Sequence, residues 1–284
     1  MVAMSQNPIV PTARPKQKRP QAVLNVQARE QLTPRLLRLT LGGPGYHHLA
    51  RNHHTDAYVK LLLPPVGSDL TPPYDLDTLR AEHPELMPAL RTYTVRTWDD
   101  AAEQIILDVV LHDEPGHSGI ASAWAANAQI GDSIAMRGAG GGYSPDPDSR
   151  THLLIGDHAT VPAIAAALEA LAATARGTVL IHVDDDADIL PLTHPDGMHV
   201  RWVVGEREQL LDAVRALDLP DLEGLQVFCH AERGLTKQLR RHLVRERGIA
   251  RDAISVSAYW ALGRIEDQFQ AEKREPIGRI DEDD

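Results

Sequence analysis

The sequence predicts two domains, an antiparallel β-barrel followed by a parallel α/β sheet, and three observations carry that expectation. The chain has 284 residues, more than one compact core usually holds at roughly 100–200 residues per domain. From Ala22 to Leu63, and again from Arg91 to Gly138, short β-rich runs are separated by proline, glycine and polar clusters, the pattern of antiparallel strands. After YSPDPDSR, strand-like apolar runs alternate with helical patterns, as in a sheet covered by helices.

In the first half AVLNVQARE, LLRLTLGG and AYVKLLLPP read as strands. A proline-punctuated insert follows, in which DLDTLRAEH has the pattern of a short helix. RTYTVRTW, IILDVVLH and GDSIAMRG return to strand. In the second half HLLIGD, TVLIHV, MHVRWVV, LQVFCH and AISVSA predict five parallel strands. PAIAAALEALAATAR, EREQLLDAVRAL and GLTKQLRRHLVRER predict helices between them. The expected organisation is a basic, proline-rich arm over 1–20, a barrel over 21–147, an α/β domain over 148–264 and a charged tail over 265–284, solvated or partly helical.

Composition narrows the function. A net charge of −11 opposes nonspecific nucleic-acid binding, which selects basic faces. No run approaches the roughly 18 apolar residues of a membrane span. The opening residues lack the apolar core and small-residue cleavage site of a secretory signal. The single cysteine, Cys229, lies in the apolar run LQVFCH, which excludes an internal disulfide and fits a reducing cytoplasm. His47-His48 and His53-His54 fall in an expected loop without metal-ligand spacing and read as surface histidines. No metal site is expected.

Arg91-Thr92-Tyr93-Thr94 offers a charge, a ring and a hydroxyl on one strand, the set a flavin dinucleotide needs. Arginine neutralises a diphosphate bidentately, tyrosine packs against the isoalloxazine, and the backbone bonds the flavin edge. Downstream, a strand ends at His112, a glycine-bearing loop follows, and Ser122 opens a helical turn whose free N–H groups suit a phosphate. Taken alone, each of these also reads as an ordinary strand or β-to-α connection.

Together, Arg91-Thr92-Tyr93-Thr94-Val95-Arg96, the His112 to Trp124 stretch, Gly156-Asp157 with Pro162-Ala163-Ile164, and Ala258-Tyr259-Trp260 resemble the motifs of siderophore-interacting proteins, in the family's order. The resemblance runs from about Ala22 to Arg264. It implies a ferredoxin-reductase-like fold with noncovalent FAD, contacted by Arg91, Thr92, Tyr93, Thr94, His112, Ala121 and Ser122, with Asp157 near the nucleotide end. It also implies reduction of ferric siderophores by electron transfer through the flavin, with no protein acid or base. The chain departs from the family pattern at His158, Ala258 and Ala261, where the family usually has glutamate, glycine and arginine.

Because parallel strands share one carboxyl end, Asp157, His230-Ala231-Glu232 and Tyr259-Trp260 are expected together, with Tyr259 or Trp260 capping the flavin. Lys60, Arg137 and Arg264 are the candidate cations for an anionic siderophore. The electron donor is NADH, NADPH or ferredoxin, and the acids Asp184-Asp185-Asp186 after the second parallel strand lean toward NADH. Two other readings stay open: a flavin oxidoreductase with another acceptor, and a siderophore-binding protein without redox chemistry.

Overall fold

The structure, a computed structural model, describes residues 20–111, 119–219 and 221–280. Six strands close the barrel: β1 (Ala22–Thr33), β2 (Leu36–Gly42), β3 (Tyr58–Leu63), β4 (Ala89–Asp99), β5 (Gln104–Val110) and β6 (Ser133–Gly140), in the antiparallel order β1-β2-β5-β4-β3-β6. Period-two alternation decides what faces inward. Leu24 and Val26, Leu37, Leu39 and Leu41, Val59 and Leu61, and Ile105, Leu107 and Val109 all enter one core. Each such side chain contributes about 1.5–3 kcal/mol by leaving water. Helix α1 (Leu76–Glu82) lies in the insert, where Leu79 packs on Leu62 and Ala135 outside the barrel. Helix α2 (Ile120–Asn127) sends Ala121 and Ala125 into the barrel core itself.

The second sheet is parallel throughout, in the order β11-β10-β7-β8-β9. Its strands are β7 (Thr151–Asp157), β8 (Arg176–Val183), β9 (Gly197–Val204), β10 (Leu225–Glu232) and β11 (Ile254–Trp260). Central β7 is buried along nearly its whole length, as a strand covered on both faces must be. Helix α3 (Val161–Ala170) covers one face, with Ile164 and Leu168 against Leu154, Val179 and Phe228. Helices α4 (Glu208–Arg215) and α5 (Arg233–Arg240) cover the other, against Leu153 and Cys229.

Helix α3 is shorter than the periodicity through Arg176 predicts. Its backbone becomes extended at Leu171 because β8 already begins at Arg176. Gly177 is required there: its φ is +153° and a Cβ would stand 1.9 Å from the His152 carbonyl oxygen. The charged tail contributes a docked helix, α6 (Glu266–Glu272), whose Phe269 is buried beside Ala258 and Ala261.

Two polar ties, one buried and one at the surface, join the two domains. Asp188, 1% exposed, accepts from the Thr33 hydroxyl at 3.1 Å and the Arg35 amide at 3.3 Å. Arg96 pairs bidentately with Glu169 of α3 at 2.5 and 2.8 Å.

Candidate functional site

The site is built around an open edge of β4. Strand β4 pairs with β3 from Ala89 to Thr94, while its pairing with β5 begins only at Val95. The Val95 amide donates to Ala57 on the β3 side, so by alternation the Thr92 and Thr94 amides face the other, open side. Tyr93 packs on the barrel core, as do Ile120 and Trp124 of α2. Burial, reinforced by the charge of Glu266, pushes its phenol above the usual range. The Thr94 side chain is buried and hydrogen-bonded to the Tyr259 hydroxyl. Barrel and sheet therefore meet at this residue.

Arg91 donates from Nη1 to Asp267 at 3.0 Å. Because Asp267 is 57% exposed, this pair is weak. Helix α2 starts after Gly119, and among the described residues no side chain caps it. Ala121 and Ser122 of that first turn are buried. His112 lies outside the described residues.

At the carboxyl edge of the sheet, Asp157 is 3% exposed. It accepts from the Glu232 amide and Trp260 Nε1, each at 2.8 Å, and from the Ala159 amide at 3.1 Å. Burial outweighs these bonds and raises its carboxyl to about 6. Gly156 permits the tight turn that follows, since a Cβ would fall 1.9 Å from Thr160 Oγ1. Glu232 accepts from the Leu235 and Leu262 amides. Trp260 keeps an exposed edge, with the Arg207 guanidinium 5.6 Å from its ring centre. Tyr259 stacks toward His230 with ring centres 5.1 Å apart, and burial holds the His230 imidazole down to about 3.

On the barrel's outer face, Lys60 stands in register between Thr92 of β4 and Arg137 of β6. Arg137 borders a groove of about 340 Å³ with Gln21, Tyr74, Leu76 and Arg80. Its Nε has no hydrogen-bond partner among the described residues. A third cation, Lys273 at the end of α6, joins them. Desolvation over Phe269, then repulsion from Lys60, lowers its ammonium pKa. Arg264 instead pairs with Glu272 at 2.7 Å. Sequence reading overlooked Lys273 and Glu266, whose only signal was a charge-dense tail around one phenylalanine.

Other singled-out residues are engaged elsewhere. Asp184 pairs with Arg35 at 3.2 Å, and Asp185 caps the turn at Ala187. The two histidine pairs are exposed. Burial pushes the Cys229 thiol up to about 12, so it is an inert core group.

Residues 25–143 match the family model described as the siderophore-interacting FAD-binding domain, and residues 149–263 match that of siderophore-interacting protein. The chain belongs to the siderophore-interacting protein family. Ferric vibriobactin reductase from Vibrio cholerae is 30% identical over 259 residues, covering 88% of this chain and 93% of the relative. An uncharacterised Mycobacterium tuberculosis protein is 39% identical over 274 residues, covering 90% and 96%. Among solved structures, the siderophore-interacting protein of Aeromonas hydrophila superposes with a TM-score of 0.75 at 26% identity, covering 91% of this chain and 98% of that one. A siderophore utilisation protein from T. fusca gives 0.72 at 29%, covering 87% and 94%. The ferredoxin reductase of carbazole 1,9a-dioxygenase shares the fold with a TM-score of 0.63 at 17% identity, covering 87% and 71%.

The residues fit the family's FAD. Among the described residues, the Thr94 amide lies on a strand edge that β5 does not pair, Tyr93 presents a half-buried ring, Arg91 is held by the Leu90 carbonyl and an exposed carboxylate, and no side chain caps the start of α2.

Proposed function

We propose that this protein reduces ferric siderophores, with FAD held by Arg91 to Thr94 and the first turn of α2. The observation that carries the reading is the register Thr92–Lys60–Arg137, which sets cations for an anionic substrate directly beside the flavin-motif strand. Electron transfer asks for proximity, not a proton donor, so no acid or base need touch the iron.

Arg91 and the α2 amides would neutralise the diphosphate, Tyr93 would pack the ring system, and Thr94, fixed by Tyr259, would bond its edge. Bound FAD supplies the step between a two-electron donor and the one-electron reduction of Fe(III). Lys60, Arg137 and Lys273 draw in the anionic complex. Once reduced, iron is held less tightly by hard oxygen donors and leaves. We place this chemistry in the cytoplasm, where a lone unpaired cysteine is at home.

The donor reaches the carboxyl edge of the sheet, where Asp157, Glu232, Trp260 and Arg207 gather. Asp184, 71% exposed after β8 and paired with Arg35, is the group that would repel a 2′-phosphate, and on it rests a preference for NADH over NADPH. Equal anaerobic reduction rates with the two nucleotides, or reduction by ferredoxin alone, would contradict that preference.

The main test is anaerobic. Reduced, FAD-loaded protein is mixed with an anionic ferric siderophore and a ferrous trap. Two trapped Fe(II) per oxidised FAD are expected. Flavin that stays reduced with ferric chelates yet is oxidised by quinones would favour a different oxidoreductase.

A further inference from the structure

Glu266 occupies the open edge of the flavin-motif strand. Its carboxylate takes the Thr92 amide at 3.1 Å and the Thr92 hydroxyl at 2.6 Å. This is the edge toward which the Thr94 amide also points. The half-buried Glu266 is delivered there by α6, which is anchored by buried Phe269 and by Glu272 on Arg233 and Arg264 at 2.5 and 2.7 Å.

We propose that Glu266 is a tuning carboxylate, which fixes negative charge beside the flavin-binding strand and so makes bound FAD a stronger reductant. The inference rests on the FAD reading above and deepens it. Reduction adds electron density to the isoalloxazine, and a fixed anion in a poorly solvated place opposes that gain.

The nearby cations decide whether the sign survives. Lys60 and Lys273 lie on the outer face, and Arg91 follows the same strand. In the FAD-loaded protein Arg91 would face the diphosphate, whose charge offsets its own. Tyr93, whose ring would pack the flavin, reports the local field: Glu266 is the leading charge acting on its phenol, ahead of the opposing Arg91. Glu266 is the anion that touches the flavin-motif strand itself, through the Thr92 amide and hydroxyl. A low-potential flavin suits an acceptor whose ferric state is stabilised by hard oxygen donors.

The experiment is potentiometric titration of the FAD-loaded protein without siderophore, for wild type, Glu266→Gln, Glu266→Asp, Glu272→Gln and Lys273→Met. Glu266→Gln should raise the reduced-to-oxidised ratio at a fixed potential about tenfold, a two-electron midpoint higher by about 30 mV. Glu266→Asp, which keeps the charge, should stay near wild type. Glu272→Gln, which loosens the α6 anchor that delivers Glu266, should shift the midpoint in the same direction but by less. If Glu266→Gln loses its cofactor, Lys273→Met provides the complementary reading, because leaving Glu266 less opposed should lower the midpoint. Unchanged midpoints in FAD-loaded Glu266→Gln and Lys273→Met, or a shift in Glu266→Asp equal to that in Glu266→Gln, would overturn the proposal. A wild type that takes up no FAD would overturn the FAD reading and the tuning together.

Discussion

Asp157 and His230 are neighbours on the sheet whose burial acts in opposite directions on stability. The folded Asp157 carboxyl titrates near 6 instead of its ordinary 3.8. Between those values the folded state therefore binds a proton that the unfolded chain has lost. Stability from Asp157 is fully present below pH 3.8 and is lost as pH rises through 6, at about 1.4 kcal/mol per pH unit. His230, held down to about 3, contributes the reverse slope below 6.5. The two nearly cancel from pH 4 to 6. Chemical denaturation across that range should show wild type losing about 1.4 kcal/mol per unit relative to Asp157→Asn; parallel profiles would refute the assignment. At the substrate side, Lys60→Glu should raise the apparent KM for an anionic siderophore about tenfold, equivalent to about 1.4 kcal/mol. Steady-state kinetics should show kcat largely kept. The paired placement of Lys60 and Arg137 on the barrel was legible because each interrupts an apolar strand run, where a cation must face outward or meet an anion. Lys273 and Glu266 were not, because nothing local marks which charge of a charged tail will be folded back.

Helix α6 shows the same limit at the scale of elements. Its sequence, EDQFQAE, has one large apolar residue, and helicity in so short a segment comes from packing, not propensity. That packing partner is β11, which the sequence places nearby but cannot orient. Phe269→Ala should cost about 3 kcal/mol of local docking. Hydrogen exchange should quicken from Glu266 to Gly278 while the barrel strands keep their protection, and siderophore KM should rise as Lys273 is released. The strands were legible because alternation in the barrel and continuous apolar runs in the sheet are written locally. The end of α3 was not, because it is set by where β8 must begin.

For the whole molecule, the order of barrel and sheet was readable, and their docking was not. The ties that set it, Arg96 to Glu169 and Arg35 to Asp188, join residues 73 and 153 apart in sequence. Asp188→Asn should lower overall stability by about 2 kcal/mol by weakening charge-assisted bonds to Thr33 and Arg35, measured by urea denaturation. Thr94 and Tyr259 meet across the same junction, so the position of the flavin motif depends on it. FAD binding at that junction is the claim on which the chemistry stands. Protein freed of cofactor and titrated with FAD should quench flavin fluorescence to saturation at one FAD per chain, and Arg91→Ala should bind about tenfold more weakly. Flavin fluorescence unchanged by the wild-type protein at any concentration would contradict it.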